Sequence, residues 1–173
     1  MEKVILFLCD ICGTLNGNLD NTLEDYLKLN DVLNSISEKN DNCKILFTIV
    51  STEKETVVRQ YLEELNQHLN NNIYFSKQFY DNGYILEDKS FHFISGKCYQ
   101  IIEYLKELEQ NLDLIKIYYA DDSKFFQTYI NEYFKFKNIN IPLEPIIPRE
   151  KLGLKELNKL LNEEINLSNK KHH

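Results

Sequence analysis

Several features that would assign a protein chain to a class at once are missing from this sequence. No apolar run approaches the roughly 18 residues that a membrane-spanning helix requires, so we expect no membrane partner. The N-terminus enters strand-like sequence without the pattern of a signal peptide, which favours a cytoplasmic protein. Only four cysteines occur among the 173 residues, and in a chain of this size they do not indicate a disulfide framework.

Linkers, repeats and an excess of basic charge are missing as well. Glycine and proline contribute only five and three residues, and no segment rich in them divides the chain. We therefore predict one domain over residues 1–173, which is long enough to bury a core. The 20 basic residues are outnumbered by 27 acidic ones, for a net charge of −7. This balance argues against a basic surface that binds nucleic acid.

Short apolar runs alternate with helical patterns along the chain. The runs that we interpret as strands cover residues 4–9, 44–50, 73–75, 114–120 and 143–147. The alternation predicts an α/β fold with three αβα layers, in which helices cover both faces of a Rossmann-like, open and mostly parallel sheet. Pro145 interrupts the last strand and places it near an edge of the sheet.

A turn signal lies between the third and fourth of these strands. Asp81-Asn82-Gly83, between Phe79-Tyr80 and Tyr84-Ile85, predicts a β-hairpin. We therefore expect a small β-hairpin insert within about residues 73–95. We favour ordinary sheet packing for its aromatic side chains, but they could also line a substrate pocket or face a partner; these are Tyr74, Phe75, Phe79, Tyr80 and Tyr84.

Polar side chains follow three of the predicted strands. Asp10 follows the first strand and precedes a turn at Gly13. Ser51 follows the second strand, and Asp121-Asp122 follow the fourth. Ligands of open parallel sheets bind beyond the carboxyl ends of the strands, so we expect these residues to meet in one crevice. A carboxylate at the end of a buried strand is costly unless it meets a cation or a reacting group.

The order of these residues resembles the haloacid dehalogenase (HAD) superfamily, whose members mostly transfer phosphoryl groups. The family's first motif, D-x-D-G-T-L after an apolar strand, is matched by Asp10-Ile11-Cys12-Gly13-Thr14-Leu15. Ser51 matches the second motif, Lys97 at a helix start the third, and Asp121-Asp122 the fourth. The resemblance implies a HAD-like fold and a phosphatase-like hydrolase acting on a phosphorylated substrate.

The resemblance also implies a Mg²⁺ cofactor and a covalent intermediate. Asp10 corresponds to the nucleophile, which forms an aspartyl-phosphate. Asp10 and Asp121 correspond to metal ligands, together with the backbone carbonyl of Cys12. Asp122 would ligate the metal directly or through water. Oxygen ligands of these kinds suit Mg²⁺.

Phosphate binding would fall to the second and third motifs. Ser51 and the backbone amides from Thr52 onward would surround the phosphate, and Lys97 would neutralise the charge on the nucleophile and the phosphate. Thr52 and Glu55 have the spacing of a capping box at the start of the next helix. Thr48 is a rival for the second motif, but it lies inside a strand, and we expect its hydroxyl to bond a neighbouring backbone group.

Cys12 departs from the family pattern, which has a second aspartate at this position for general acid–base catalysis. A thiol, with an ordinary pKa of about 8.5, replaces that carboxylate poorly near neutral pH. Two functions therefore stay open: a Mg²⁺-dependent phosphoryl-transfer hydrolase, and a weakened or inactive binding module. Redox chemistry by Cys9 and Cys12 is disfavoured because Cys9 lies inside a strand rather than at a helix start.

Other groups are candidates for contact with the substrate. Glu87, Asp88 and His92 lie between the second and third motifs, where relatives place substrate-contacting segments. A histidine in general titrates near physiological pH, but a packed or surface histidine on an alternating strand is the interpretation that we favour for His92. The chain has little room for a large cap domain. The site would then stay open to a small or a macromolecular substrate, unless a second copy of the chain covered it.

Overall fold

The computed structural model describes residues 1–81, 85–88 and 92–171, and it describes the side chains of residues 1–81 and 96–168. The strands are β1 (Glu2–Cys9), β2 (Lys44–Ile49), β3 (Ile73–Phe75), β4 (Ile85–Asp88), β5 (His92–Ser95), β6 (Leu112–Ala120) and β7 (Leu143–Ile146). The helices are α1 (Leu23–Glu38), α2 (Glu55–His68), α3 (Gly96–Glu109), α4 (Lys124–Phe136) and α5 (Leu154–Lys171).

Five strands form one sheet in the order β3-β2-β1-β6-β7, and every pairing in it is parallel. Strand β1 lies at the centre, and its residues 4–9 are all buried. A strand with neighbours on both sides and helices on both faces needs apolar residues throughout, which explains this unbroken apolar run. Strand β7, which contains Pro145, lies at the edge as predicted.

Helices cover both faces of this sheet. Alternate residues of β1 point to opposite faces, with Ile5 and Phe7 in one apolar cluster and Leu6 and Leu8 in the other. Helices α1, α2 and α5 contribute to the first cluster, and α3 and α4 contribute to the second. The predicted three-layer α/β fold is therefore confirmed.

The antiparallel pair lies further along the chain than the turn signal indicated. Strand β4 pairs with β5, outside the five-stranded sheet. Phe79 does not begin a hairpin. It forms a parallel bridge with Val50, the residue that follows β2, and so adds a pairing at the end of that strand. The predicted turn at residues 82–84 lies outside the described residues.

The aromatic residues that we grouped in one hairpin divide between two elements. Tyr74 and Phe75 belong to β3, which pairs with β2 in the main sheet. Phe79 is buried against Tyr104 of α3, with ring centroids 5.4 Å apart. Ordinary packing therefore accounts for Phe75 and Phe79. Across residues 1–81, 85–88 and 92–171, no helix is long and apolar enough to cross a membrane.

Candidate active site

Asp10 lies directly beyond the central strand, and its position is fixed from both sides. Its backbone N–H donates to the carbonyl of Ala120 at the end of β6, at 2.9 Å. Residues 11–15 then form a tight turn in which Gly13 has a φ of 77°. The amide of Gly13 donates to Asn16 Oδ1 at 3.1 Å. The side chain of Asp10 is buried as a result, with 9% of its surface exposed.

The turn brings Asp10 against the two acids that follow β6. Cys9 pairs with Ala120 in the parallel register, so Asp10 and Asp121 leave the sheet side by side. One carboxylate oxygen from each of Asp10, Asp121 and Asp122 lies within 4.8 Å of the others. A Cβ atom at Gly13 would lie 2.1 Å from Asp122 Oδ2. Glycine is therefore required at this position both by its positive φ and by the carboxylate beside it.

Lys97 is the cation of this acidic cluster. It lies in the first turn of α3, and its side chain is only 3% exposed. Its Nζ lies 3.2 Å from Asp10 Oδ1 and 2.8 Å from Asp121 Oδ2, and 4.7 Å from the centre of the Phe126 ring. Burial opposes the charge of Lys97, but the two aspartates outweigh it and raise the pKa of the ammonium. Lys97 therefore stays protonated while it joins the ends of β1 and β6.

The negative charge of the cluster exceeds what Lys97 neutralises. Burial, followed by the charge of Asp121, raises the pKa of Asp10 to about 7, although Lys97 opposes the change. Burial and Asp121 also raise the pKa of Asp122, against the influence of Lys151 and Lys97. Burial is the larger cause of both shifts, and Lys97 does not offset it together with the repulsion among the acids. A cation bound beside the cluster would lower these pKa values.

Asp121 is held more tightly than its two acidic neighbours. In addition to Lys97, its Oδ2 accepts a 2.7 Å hydrogen bond from the Tyr119 hydroxyl. Its Oδ1 accepts one from the Ser123 amide at 2.9 Å, and its backbone carbonyl accepts one from Gln127. These bonds leave few positions on Asp121 for another ligand. We infer that it mainly orients Lys97.

Ser51 occupies the same edge of the sheet, next to the end of β1. The amide of Val50 donates to the Cys9 carbonyl at 2.8 Å, and Ser51 follows with only 1% of its surface exposed. Its hydroxyl oxygen accepts a 3.0 Å hydrogen bond from the Glu53 amide. A serine that accepts in this way keeps its own proton for another oxygen. Ser51 can therefore donate to a ligand at this edge.

The expected capping box at Thr52 and Glu55 is wrong. Helix α2 begins at Glu55 with Lys54 as its N-cap, and no side chain caps it. The helix therefore begins two residues later than a cap at Thr52 would place it, after a bend at residues 52–53 in which the Ser51 hydroxyl accepts the amide of Glu53. Thr52 is exposed on this loop, and a role of its backbone amide in phosphate binding stays a prediction.

The expectation for Thr48 is also wrong. Its side chain is fully buried in β2, but among the described residues its hydroxyl has no hydrogen-bond partner. The backbone of β2 is paired with strands on both sides, and a side chain on a strand points away from those bonds. Thr48 therefore belongs to the packing of the sheet, and Ser51 remains the residue at its edge.

Cys12 lies at the exposed rim of the cluster, where its thiol donates to Glu53 Oε1 at 3.2 Å. Burial and the bond to Glu53 raise the pKa of Cys12 to about 11, so the thiol keeps its proton at neutral pH. Among the described residues, the side chains that could together hold a metal ion are those of Asp10, Asp121 and Asp122, and the Cys12 thiol does not belong to this group. A role of the Cys12 backbone carbonyl as a metal ligand stays a prediction. All four cysteines are free thiols, and Cys9 is buried inside β1.

The motifs did not indicate three residues that contact the site, Glu53, Tyr119 and Phe126. They also did not indicate Lys151, whose charge acts on Asp122. Tyr119 had a usable signal, since it lies two residues before Asp121 and therefore on the same side of the strand end. Glu53 had none, because its contact with Cys12 joins residues 41 positions apart through a loop. Glu87 and Asp88 belong to β4 and His92 to β5, and their side chains lie outside the described residues.

A cavity of about 660 Å³ lies beside the turn that follows Asp10. Asn16 borders it and also joins the turn to α2, since its amide donates to the Tyr61 hydroxyl at 2.9 Å. The cavity is bounded by the loop of residues 16–21 and by one side of α2, and it does not contain the acidic cluster. The site thus consists of a buried charged centre with an open polar recess next to it.

The structure gathers Asp10, Lys97, Asp121 and Asp122 at one point, with Ser51 and Cys12 on the same edge of the sheet. Comparisons of the chain with protein-family models, with curated proteins and with solved structures gave no significant match in any of the three.

Proposed function

We propose that this chain is a Mg²⁺-dependent phosphoryl-transfer hydrolase that acts through an aspartyl-phosphate on Asp10. The observation that carries the proposal is the bond of the buried Lys97 to both Asp10 and Asp121. Burying three ionised groups costs several kcal/mol for each ion before their attraction is counted. Packing alone gives little reason to retain them, whereas an anionic substrate does.

The donor set of the cluster suits a hard divalent cation. Asp10, Asp121 and Asp122 supply carboxylate oxygens, which Mg²⁺ prefers, and their charge exceeds that of Lys97. Asp10 and Asp122 would hold the ion most directly, because the oxygens of Asp121 already accept three hydrogen bonds. A bound Mg²⁺ would stabilise the negative charge that develops on the transferred phosphoryl group.

The residues of the chain divide the remaining work. Asp10 attacks the phosphorus atom, and Lys97 holds its carboxylate in place and offsets the charge of the incoming phosphate. The Ser51 hydroxyl and the amide of Thr52 donate hydrogen bonds to oxygens of the phosphate. Positioning and charge neutralisation of this kind account for most of the catalysis of phosphoryl transfer.

A binding module is the second candidate, and Cys12 is the observation that favours it. With a pKa of about 11, the thiol is far from the value that suits proton transfer at neutral pH. In this alternative the cluster still binds a metal ion and a phosphorylated partner but turns it over slowly or not at all. The open rim would suit a bulky partner or a second copy of the chain.

One assay separates the two candidates. We would measure Mg²⁺-dependent turnover of p-nitrophenyl phosphate by the wild type, Asp10→Asn and Cys12→Asp, and metal binding by calorimetry. The hydrolase predicts loss of turnover in Asp10→Asn and retention or gain in Cys12→Asp. Metal binding without turnover in any of the three would support the binding module. Absence of both from the wild type would contradict both candidates.

A further inference from the structure

A second carboxylate lies beside the position at which the hydrolase needs one. Glu53 lies 41 residues beyond Cys12, yet its Oε1 accepts a hydrogen bond from the Cys12 thiol, with Sγ and Oε1 3.2 Å apart. The Cys12 side chain belongs to the turn that carries Asp10. Glu53 therefore places an acidic group one hydrogen bond beyond residue 12, on the open side of the buried cluster.

The backbone of Glu53 is fixed on both sides, so this approach is not that of a loose surface side chain. Its amide donates to Ser51 Oγ at 3.0 Å, and its carbonyl accepts the amide of Asp81 at 2.8 Å. The first of these bonds ties Glu53 to a residue of the proposed phosphate site. Its side chain is partly exposed, which leaves room for it to rotate toward a bound substrate.

We infer that Glu53 is the general acid and base of the phosphoryl transfer, supplying from the loop before α2 the carboxylate that position 12 lacks. The inference rests on the proposed function, since it assigns a residue to the same reaction. Cys12 is a positioning residue in this scheme, because its thiol orients Glu53 and exchanges no proton with the substrate.

Each half of the reaction uses Glu53 once. In the first half, an Asp10 oxygen forms a bond to phosphorus, the bond from phosphorus to the leaving oxygen breaks, and that oxygen takes the proton of Glu53. In the second half, a water oxygen attacks the phosphorus of the aspartyl-phosphate while Glu53 accepts a proton from the water. The bond to Asp10 breaks, inorganic phosphate departs, and both carboxyl groups return to their starting states.

Two substrates with different leaving groups test the inference. p-Nitrophenolate leaves without a proton, whereas the alkoxide of glycerol 2-phosphate requires one. For Glu53→Gln we expect kcat/KM for glycerol 2-phosphate to fall by about 10²- to 10⁴-fold, the usual contribution of general acid–base catalysis. For p-nitrophenyl phosphate we expect kcat/KM to stay near the wild-type value while kcat and KM fall together, because only the second half is slowed.

Glu53→Gln should also release a burst of p-nitrophenolate from p-nitrophenyl phosphate, because the aspartyl-phosphate accumulates. The amplitude of the burst should equal the enzyme concentration. Glu55→Gln is the matched control: it removes the same charge two residues away, from a carboxylate that binds Arg59. We expect it to behave as the wild type. In Cys12→Asp/Glu53→Gln, the carboxylate returned to position 12 should restore turnover of glycerol 2-phosphate.

Equal behaviour of Glu53→Gln and Glu55→Gln toward glycerol 2-phosphate would overturn the inference. The inference would also be overturned if Glu53→Gln lowered kcat/KM for both substrates to the same extent and showed no burst of p-nitrophenolate. Misfolding or loss of substrate binding would have that effect. In both cases an active wild type with an inactive Asp10→Asn would leave the proposed function intact. A wild type without Mg²⁺-dependent turnover of p-nitrophenyl phosphate would instead overturn the proposed function together with this inference.

Discussion

Two buried aspartates in this chain each meet a lysine, and the protein treats them in opposite ways. Asp25 in α1 binds Lys155 of α5 at 2.6 Å, and Asp10 binds Lys97 at 3.2 Å. Burial tends to raise the pKa of both. For Asp25 the bonds from Lys155 and Thr22 outweigh burial and lower its pKa, whereas the pKa of Asp10 rises to about 7.

Burial is the largest cause of the raised pKa of Asp10, and the neighbours of each aspartate decide whether burial is offset. Asp25 also accepts the Thr22 amide at 2.8 Å and completes the capping box of α1. Asp10 shares its lysine with Asp121 and lies beside Asp122. A carboxylate fully paired within the protein serves the structure. One that remains short of positive charge is a candidate for ligand binding.

Removal of Lys97 should give the largest effect. Lys97→Met would leave Asp10 and Asp121 buried without their cation, and we expect a loss of roughly 3–5 kcal/mol in the free energy of unfolding. Lys97 lowers the pKa of Asp10, so its loss raises that pKa further. The deficit should therefore be largest above pH about 7 and shrink as the pH falls and Asp10 becomes neutral.

Urea unfolding at several pH values measures this effect. Lys155→Met is the control, because the Lys155 side chain is 40% exposed and Asp25 keeps the Thr22 amide as a donor. We expect a loss of about 1 kcal/mol, as for pairs with an exposed partner. If Lys97→Met and Lys155→Met lost the same free energy of unfolding, the Asp10–Lys97 and Asp25–Lys155 pairs would not differ as we propose.

Mg²⁺ should stabilise the wild type by an intermediate amount. A ligand present at 100 times its Kd adds about 2.7 kcal/mol to the free energy of unfolding, which thermal unfolding in a Mg²⁺ titration would detect. We expect Asp122→Asn to lose this response and Asp25→Asn to keep it. The same response in both variants would place the ion away from the acidic cluster.

Asp25→Asn should cost stability but not activity. We expect a loss of about 2 kcal/mol at pH 7, the contribution of hydrogen bonds to a charged group. The stabilisation by ionised Asp25 is present above the ordinary carboxyl pKa of about 3.9. It is lost as the pH falls through the lowered value of the folded state, so variant and wild type should converge in acid. A gap that widened in acid would contradict the assignment.

Tyr119→Phe should have the smallest effect of the four. It removes one donor to Asp121 Oδ2 while Lys97 and the Ser123 amide remain. We expect about 1.5 kcal/mol by urea unfolding. Tyr74→Phe, on an exposed face of β3, should change stability by less than about 0.5 kcal/mol.

The sequence was sufficient for the sheet because the apolar runs correspond to its buried strands. An unbroken run such as residues 4–9 has few alternatives, since a strand covered on both faces must be apolar throughout. The same logic located Asp10, Ser51 and Asp121, because parallel strands bring their carboxyl ends to one edge. Lys97, in the first turn of α3 after the antiparallel pair, was indicated only by the resemblance of the motifs.

Contacts that depend on loop conformation could not be predicted in this way. The approach of Glu53 to Cys12 follows from a turn at Ser51 that delays the start of α2 until Glu55, and the sequence instead suggested a capping box at Thr52. The antiparallel pair was placed too early for a related reason. Phe79 gains more from a bridge to Val50 beside a buried sheet than from a local turn.

The central place of β1 has a consequence for the synthesis of this protein. Cys9 pairs with Ala120, so the strand that carries Asp10 leaves the ribosome long before one of its two partners exists. Contacts between distant segments of parallel sheets form slowly, and an apolar strand that waits for its partner is prone to aggregate. A nascent chain that ends before β6 should therefore require protection by a chaperone, and the acidic cluster can form only after β6 and the two aspartates that follow it have been released.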